Sequence, residues 1–437
     1  MRAPGAAAWF SAQLLAPAAR PARHGVLSAC AFRNTSPRDI LWYSMQLLDL
    51  SRFFASRFFL LFALSLVTGL SARAQVPQAP EMVARSYLLL DLTANQILAE
   101  KDIDTLVEPA SLTKLMTAYL VFDALKSKKI ALTQTLPVSV RAWKMPGSRM
   151  FIDPKMQVPV QDLIKGMIVQ SGNDATVALA EGVGGSYERF VQMMNEQAQR
   201  LGLKATVYKN PEGLTEAGHV TSARDLALLA TRLMRDFPDL VPYYAIKKYS
   251  YPGSPASNDT NRNLLLFRDP SVDGLKTGFT EAAGYCLVAT AKRDFPNIGS
   301  RRLLSIVLGT ANENARANES QKLLNWGFTA FEAIKLFDPG QAVVTPKVWK
   351  GKQDSVKLGG VQAVVVAVPA GGAARVKTQV VRPEPLIAPL NIGQAMGQLE
   401  IFWGDKKWAE VPLVALEQVE EAGFFGRAWD ALRLGIK

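Results

Sequence analysis

Pro109-Ala110-Ser111-Leu112-Thr113-Lys114 heads an apolar run that ends near Leu125. Ser111 stands where a helix N-cap belongs, just before Leu112, Leu115, Met116, Tyr119, Leu120 and Phe122. Apolar residues go nearly all round that helix, so the pattern predicts a buried one. Ser111 and Lys114 are three apart and share a face. A lysine one turn inside a buried helix is costly to keep charged. Desolvation lowers its pKa, and a lowered pKa fits a lysine to act as a base. The plain alternative is an N-cap serine beside a lysine that snorkels to water.

The rest of the chain narrows that choice. Its 437 residues leave room for two or three domains, and 49% hydrophobic with 20% charged residues describes a globular protein. Residues 1–74 hold eight Arg against two Asp, half of the formal net charge of +12. The mild excess that remains suits an anionic membrane or polymer. No basic stripe with interleaved aromatics appears, so no nucleic-acid partner is expected. The two cysteines, Cys30 and Cys286, exclude a disulfide framework and a Cys-based zinc site. Cys286 reads as a small buried strand residue. No metal and no cofactor is expected. The two histidines are His24 and His219. His24 falls in a segment expected to be removed, so a nucleophilic serine needs a different base unless His219 serves. His219, ahead of a helix, reads as a solvated or capping residue.

Phe58 to Leu70 is an unbroken apolar run preceded by Arg52 and Arg57, and it ends in Ala72-Arg73-Ala74. Thirteen helical residues span about 20 Å, short of a ~30 Å hydrocarbon core. The segment 1–74 is expected to be an N-terminal extension and secretory leader, starting at Met45 and cut after Ala74. Tyr87–Asp91 and Gln96–Glu100 flank Thr93-Ala94-Asn95 as a β-hairpin. Helical spacing recurs at Leu163–Val169, Ala175–Glu181, Tyr187–Leu201 and Ala223–Met234. Strands are expected at Tyr249–Tyr251, Gly284–Ala291 and Leu303–Gly309, and a helix from Glu319 to Ile334. Strands at both ends with helices between give one α+β unit over 75–337, with an antiparallel sheet built from distant segments. Short valine-rich runs separated by Gly and Pro predict a small all-β sandwich over 338–420. In 421–437, Phe424, Phe425, Ala428, Trp429, Leu432 and Ile436 share one arc of a helix. Arg427, Asp430, Arg433 and Lys437 share the other, with Leu434 the misfit. Such a helix suits a membrane surface, or docks on the sandwich.

Two further motifs carry the chemistry. Ser171-Gly172-Asn173 follows an apolar helix, and Lys276-Thr277-Gly278 precedes the strand of Cys286. Alone, each is ordinary turn or strand sequence. Ser-x-x-Lys, Ser-x-Asn and Lys-Thr-Gly, in this order behind a leader, resemble the D-alanyl-D-alanine carboxypeptidases among the low-molecular-mass penicillin-binding proteins. The resemblance runs from about Val76 to the C-terminus. It implies a penicillin-binding, β-lactamase-like catalytic domain, antiparallel sheet plus helical lobe, then the β-sandwich and the amphipathic helix.

The resemblance also implies roles. Ser111 attacks the carbonyl between two D-alanines of a peptidoglycan stem pentapeptide, and Lys114 takes its proton. Ser171 relays a proton to the leaving amine. Asn173 bonds Lys114 and the substrate amide. Lys276, Thr277 and Arg316 face the terminal carboxylate, and Gly278 admits the substrate backbone. The backbone N–H groups of Ser111 and Phe279 form the oxyanion hole. Phe279 replaces the histidine of familiar members, keeping the backbone donor and removing an ionisable side chain. β-Lactams are the expected inhibitors, and the expected location is the periplasmic face of the inner membrane. A class A β-lactamase would need a Glu-x-x-Leu-Asn setting, which Asn210-Pro211-Glu212-Gly213-Leu214 lacks. A D,D-endopeptidase usually lacks the C-terminal part, and a wall-binding scaffold has no need of an intact motif set.

Overall fold

The computed structural model describes residues 75–435. The expected leader, its start at Met45 and cut after Ala74, lies outside the described residues, as do Cys30, His24, Ile436 and Lys437.

The expected hairpin is present as β1 (Ser86–Asp91) and β2 (Gln96–Lys101). Asp91 holds its turn, accepting from the N–H groups of Thr93 and Ala94. A two-stranded ribbon, β3 (Thr135–Pro137) and β4 (Gln157–Pro159), sits in the helical lobe. The long strands β5 (Val272–Thr280), β6 (Gly284–Phe295) and β7 (Gly299–Thr310) complete the main sheet. Its order is β2-β1-β7-β6-β5, all antiparallel, so the ends of the α+β unit meet and β5 forms one edge.

Both faces of that sheet are covered, which is why its central strands are apolar on both sides. Leu88, Val288, Leu304 and Ile306 face the helical lobe. Leu89, Leu287, Ala289 and Val307 face the helix Glu313–Ala330 through Leu323, Leu324 and Phe328. The lobe contains the helices Lys114–Lys126, Val160–Val169, Asn173–Gly184, Tyr187–Leu201 and Ala223–Asp236. Lys114–Lys126 is buried over nearly its whole length, as its all-round apolar pattern predicts.

Two expected elements differ. Tyr249–Tyr251 forms no strand; Lys248 alone bridges Thr260, and the tyrosine rings pack against the lobe. The helix expected at Glu319–Ile334 starts earlier, because Asn312 caps it by accepting from Ala315 N–H. It stops at Ala330, and β8 (Phe331–Phe337) follows at once. Pairing with a distant strand overrides the helical spacing there.

The C-terminal region is all-β, with β9 (Ala342–Val344), β10 (Val348–Trp349), β11 (Leu358–Gly359), β12 (Val364–Pro369), β13 (Val376–Val381), β14 (Leu386–Ile387), β15 (Ala395–Trp403) and β16 (Lys406–Ala415). A sheet of order β13-β15-β16-β11-β9 packs with the β8–β12 pair around Val356, Val364, Val366, Val368, Leu399, Ile401 and Trp403. Gln96 reaches across from β2, and its Oε1 accepts from Ala367 N–H at 2.6 Å.

Arg301 pins the junction from β7. It is 1% exposed, donates to Asp91 Oδ2 at 2.8 Å and donates to the Phe331 carbonyl at 2.7 Å. Removing Asp91 would leave a buried guanidinium without its counter-charge. Asp91→Ala should destabilise the protein by about 3–5 kcal/mol, read as a lower urea midpoint. An unchanged midpoint would show that this pair carries no such weight.

Candidate active site

Ser111 does not cap the helix. The 3₁₀ turn Ala110–Thr113 runs straight into Lys114–Lys126, and Leu112 N–H bonds Pro109 O at 3.1 Å. A capping hydroxyl would be tied to a backbone N–H. Ser111 is part-exposed, and its Oγ meets Lys114 instead. Two glycines let the turn pack this closely. A Cβ on Gly213 would overlap the Ala110 carbonyl, and one on Gly278 would lie 3.2 Å from Pro109 O and the Ala110 Cβ. Gly278 thus makes room for the turn that carries Ser111, beyond the substrate approach implied by the resemblance.

Lys114 is 1% exposed, and its Nζ has three oxygen partners: Ser111 Oγ at 3.0 Å, Asn173 Oδ1 at 2.8 Å and the Glu212 carbonyl at 2.6 Å. Asn173 Nδ2 donates to Pro146 O at 2.7 Å, which turns Oδ1 toward the lysine. An ammonium has three protons for these three acceptors. A neutral amine has two protons and a lone pair. Carbonyl oxygens cannot donate, so the lone pair must face the one group that can, the Ser111 hydroxyl. Burial pushes the Lys114 pKa down to about 7, against the opposing pull of Glu212 and Asp174 and with help from Arg262.

Ser171 sits between two helices at φ 60, a left-handed conformation rare for a side chain. Lys276, from edge strand β5, donates to Ser171 Oγ at 2.9 Å and to Thr277 O at 3.0 Å. Burial, then the charges of Lys114, Arg262 and Arg316, push Lys276 well below the usual lysine range. Ser111, Ser171, Thr277, Gly278, Phe279 and Arg316 line one cavity of about 180 Å³. Lys114 and Lys276 bond its walls from behind, and Asn173 holds Lys114. Larger surface grooves, such as one of about 480 Å³ beside Arg141 and Tyr187, lie away from this cluster. Among the described residues, no group of three or more His, Cys, Asp or Glu is arranged to hold a metal ion.

Arg316 is 3% exposed and bonds the carbonyls of Gly278 at 3.3 Å and Arg262 at 3.4 Å. Phe279 is 42% exposed and stacks on Tyr285, with ring centroids 4.2 Å apart. Cys286 is buried on β6 opposite Gly278. His219 is neither solvated nor a cap. It is 1% exposed, its Nε2 lies 3.0 Å from Thr113 Oγ1, and burial lowers its pKa to about 4. It packs behind the nucleophile turn as a neutral ring, while Ser222 caps the following helix.

Several contributors escaped the sequence reading. The buried Asp174 carboxylate accepts from Met150, Phe151 and Ile152 N–H, holding one cavity wall. Glu212 is buried, with its carboxylate on Tyr187 OH. Ser148, Arg262, Tyr285 and Glu313 also line the cavity. Asp174 follows the Ser-x-Asn motif directly, and that adjacency was the available signal. The others arrive from distant loops.

The Peptidase S11 family, D-alanyl-D-alanine carboxypeptidase, matches residues 73–312, and the penicillin-binding protein 5 C-terminal domain matches 331–421. The chain is 42% identical over 367 residues to D-alanyl-D-alanine carboxypeptidase DacC of Escherichia coli, covering 82% of this chain and 90% of that protein. Penicillin binding protein 5 from Haemophilus influenzae has a similar structure, with a TM-score of 0.74 at 38% identity over 79% of this chain and all of that one. Penicillin-binding protein D2 of Listeria monocytogenes, solved in an ampicillin-bound form, gives a TM-score of 0.51 at 29% identity over 58% of this chain and 100% of that one. With the three motifs gathered on one cavity and both family matches in chain order, the chain belongs to the Peptidase S11 family of serine-type D-alanyl-D-alanine carboxypeptidases.

Proposed function

We propose that Ser111 is the nucleophile of this carboxypeptidase and Lys114 its general base. The observation that carries the reading is the 3.0 Å contact from a buried amine whose other two partners are pure acceptors. Neutral Lys114 takes the hydroxyl proton as Oγ attacks the carbonyl between the two D-alanines. The ammonium so formed finds three oxygens already in place. The N–H groups of Ser111 and Phe279 receive the oxyanion. Ser171, hydrogen-bonded to Lys276, relays that proton from Lys114 to the leaving D-alanine amine as the C–N bond breaks, which returns Lys114 to its neutral form. Thr277 and Arg316, on the cavity wall, hold the terminal carboxylate, and Lys276 acts from behind them through Ser171. Water then cleaves the acyl-enzyme. A β-lactam acylates the same serine, a reading supported by the ampicillin-bound relative.

The terminal helix Phe424–Gly435 supports attachment to a membrane surface. It rests on its polar side: Asp430 accepts from Lys350 N–H at 2.6 Å, and Leu434 shares a groove with Trp349, Pro385 and Leu386. The misfit leucine is thus half-buried at that groove and off the outward stripe. Phe424, Phe425, Trp429 and Leu432 are all more than half exposed, a continuous apolar stripe turned outward. No helix among the described residues is long and apolar enough to cross a membrane. With the expected leader, this gives an enzyme on the periplasmic side, bound to the membrane surface and acting on stem pentapeptides.

The purified protein should release free D-alanine from a peptide ending in D-Ala-D-Ala; no release would reject the substrate assignment. Lys114→Ala should slow acylation by a fluorescent penicillin about 10²–10⁴-fold, the usual worth of a general base. Near-normal acylation would remove Lys114 from that role. In the wild type, acylation should rise with pH through a midpoint near 7, because the amine reacts only after losing its proton. His219, lowered to about 4, does not titrate there, so a midpoint above 9 would contradict the assignment. Deleting 422–437 should release the protein from membranes and leave hydrolysis of a soluble peptide intact. Co-sedimentation after the deletion would place the anchor elsewhere.

A further inference from the structure

The cavity already contains a carboxylate at the place where a substrate carboxylate would bind. Arg316 is 3% exposed, and its two bonds to carbonyls are long, at 3.3 and 3.4 Å. Its one charged hydrogen-bond partner among the described residues is Glu313, one turn earlier, with Oε1 at 3.0 Å. The Glu313 side chain is 53% exposed and lines the same cavity as Ser111 and Thr277. A buried guanidinium without a counter-charge is strongly disfavoured. Glu313 therefore neutralises Arg316 while no substrate is bound. The arriving terminal carboxylate needs the same planar donors, and two carboxylates on one guanidinium edge repel. Arg316 is walled in, by Tyr285 among others, whereas the half-exposed glutamate has water to swing into.

We propose that Glu313 is a resident counter-ion that the substrate's terminal carboxylate must displace from Arg316, and that it thereby sets substrate affinity and selectivity at the terminal residue. The proposal rests on reading Arg316 as the carboxylate-binding group. Displacement is complete before the chemical step, so it weighs equally on bound substrate and transition state. It acts on KM and leaves kcat alone. The displaced carboxylate stays at the cavity rim, where it disfavours a terminal D-residue with an acidic side chain and tolerates a neutral or basic one.

The test is steady-state hydrolysis of peptides ending in D-Ala-D-Ala, D-Ala-D-Glu and D-Ala-D-Lys by wild type, Glu313→Gln, Arg316→Gln and the double variant, at low and high salt. Thermal melts of each variant check folding, and Arg316→Lys stands in if Arg316→Gln does not fold. Glu313→Gln should lower KM for D-Ala-D-Ala by roughly three- to tenfold at low salt, with kcat within about twofold. The gain should be larger for D-Ala-D-Glu, smaller for D-Ala-D-Lys, and reduced by salt. It should shrink in the Arg316→Gln background. An unchanged or raised KM in Glu313→Gln, while Arg316→Gln raises KM, overturns the counter-ion proposal and leaves Arg316 as the carboxylate site. Equal gains with and without Arg316 overturn it too, reducing Glu313 to simple repulsion. If Arg316→Gln leaves KM unchanged, the underlying reading of Arg316 fails instead.

Discussion

A single amine held among three oxygens organises this molecule. Lys114 is sealed under the nucleophile turn, and two of its three partners can only accept. Deprotonation therefore has one geometric outcome: the lone pair points at Ser111. Burial makes that deprotonation accessible near neutral pH, and the fold supplies the burial. The helix of Lys114 is apolar all round, so the charge has nowhere to go but the cavity. Neighbouring charges pull both ways. Glu212 and Asp174 restrain the fall in pKa, and Arg262 adds to it.

The sheet brings the third motif to that amine. β5 is the edge strand, so one side of its backbone is turned to the nucleophile and the other is anchored in β6. Gly278 and Gly213 are the points where strand and loop touch the nucleophile turn. Side chains at either position would push Ser111 away from Lys114. On the far side of the sheet, the Arg301–Asp91 pair ties the catalytic unit to the start of the β-rich region through Phe331. The same fold that gathers Lys114, Arg262, Lys276 and Arg316 around the cavity gives each of them a backbone carbonyl partner.

Much of this was legible in the chain. The hairpin, the lobe helices, β6, β7 and the all-β region followed from periodicity and turn residues, because each is long or sharply punctuated, whereas β5 was marked only by its Lys-Thr-Gly motif. Ser111, Lys114, Ser171, Asn173 and Lys276 converge because the spacing within each motif fixes a face and the order of motifs fixes the family. What failed was decided by tertiary contact. Phe331–Phe337 has helical spacing and became a strand, since Val364–Pro369 pairs with it. Ser111 looked like a cap because its position mimics one, while the preceding turn already supplies the helical start. His219 looked solvated or capping because it lies just ahead of a helix, yet Tyr208 and Thr113 enclose it. Leu434 broke the amphipathic pattern because it lies half-buried at the groove of Trp349, Pro385 and Leu386, off the exposed stripe. Glu212, Arg262 and Glu313 left no signal, being single charged residues on loops and a helix start that only the fold brings together.

Catalysis by Ser111 depends on the protonation state of one side chain, Lys114. NMR of the folded protein carrying labelled lysine, with the Lys114 resonance assigned by its loss in Lys114→Arg, reads that state directly. Burial predicts that this ε-amine titrates near pH 7, far below an ordinary lysine. A titration near 10.4, shared with the surface lysines, would contradict it.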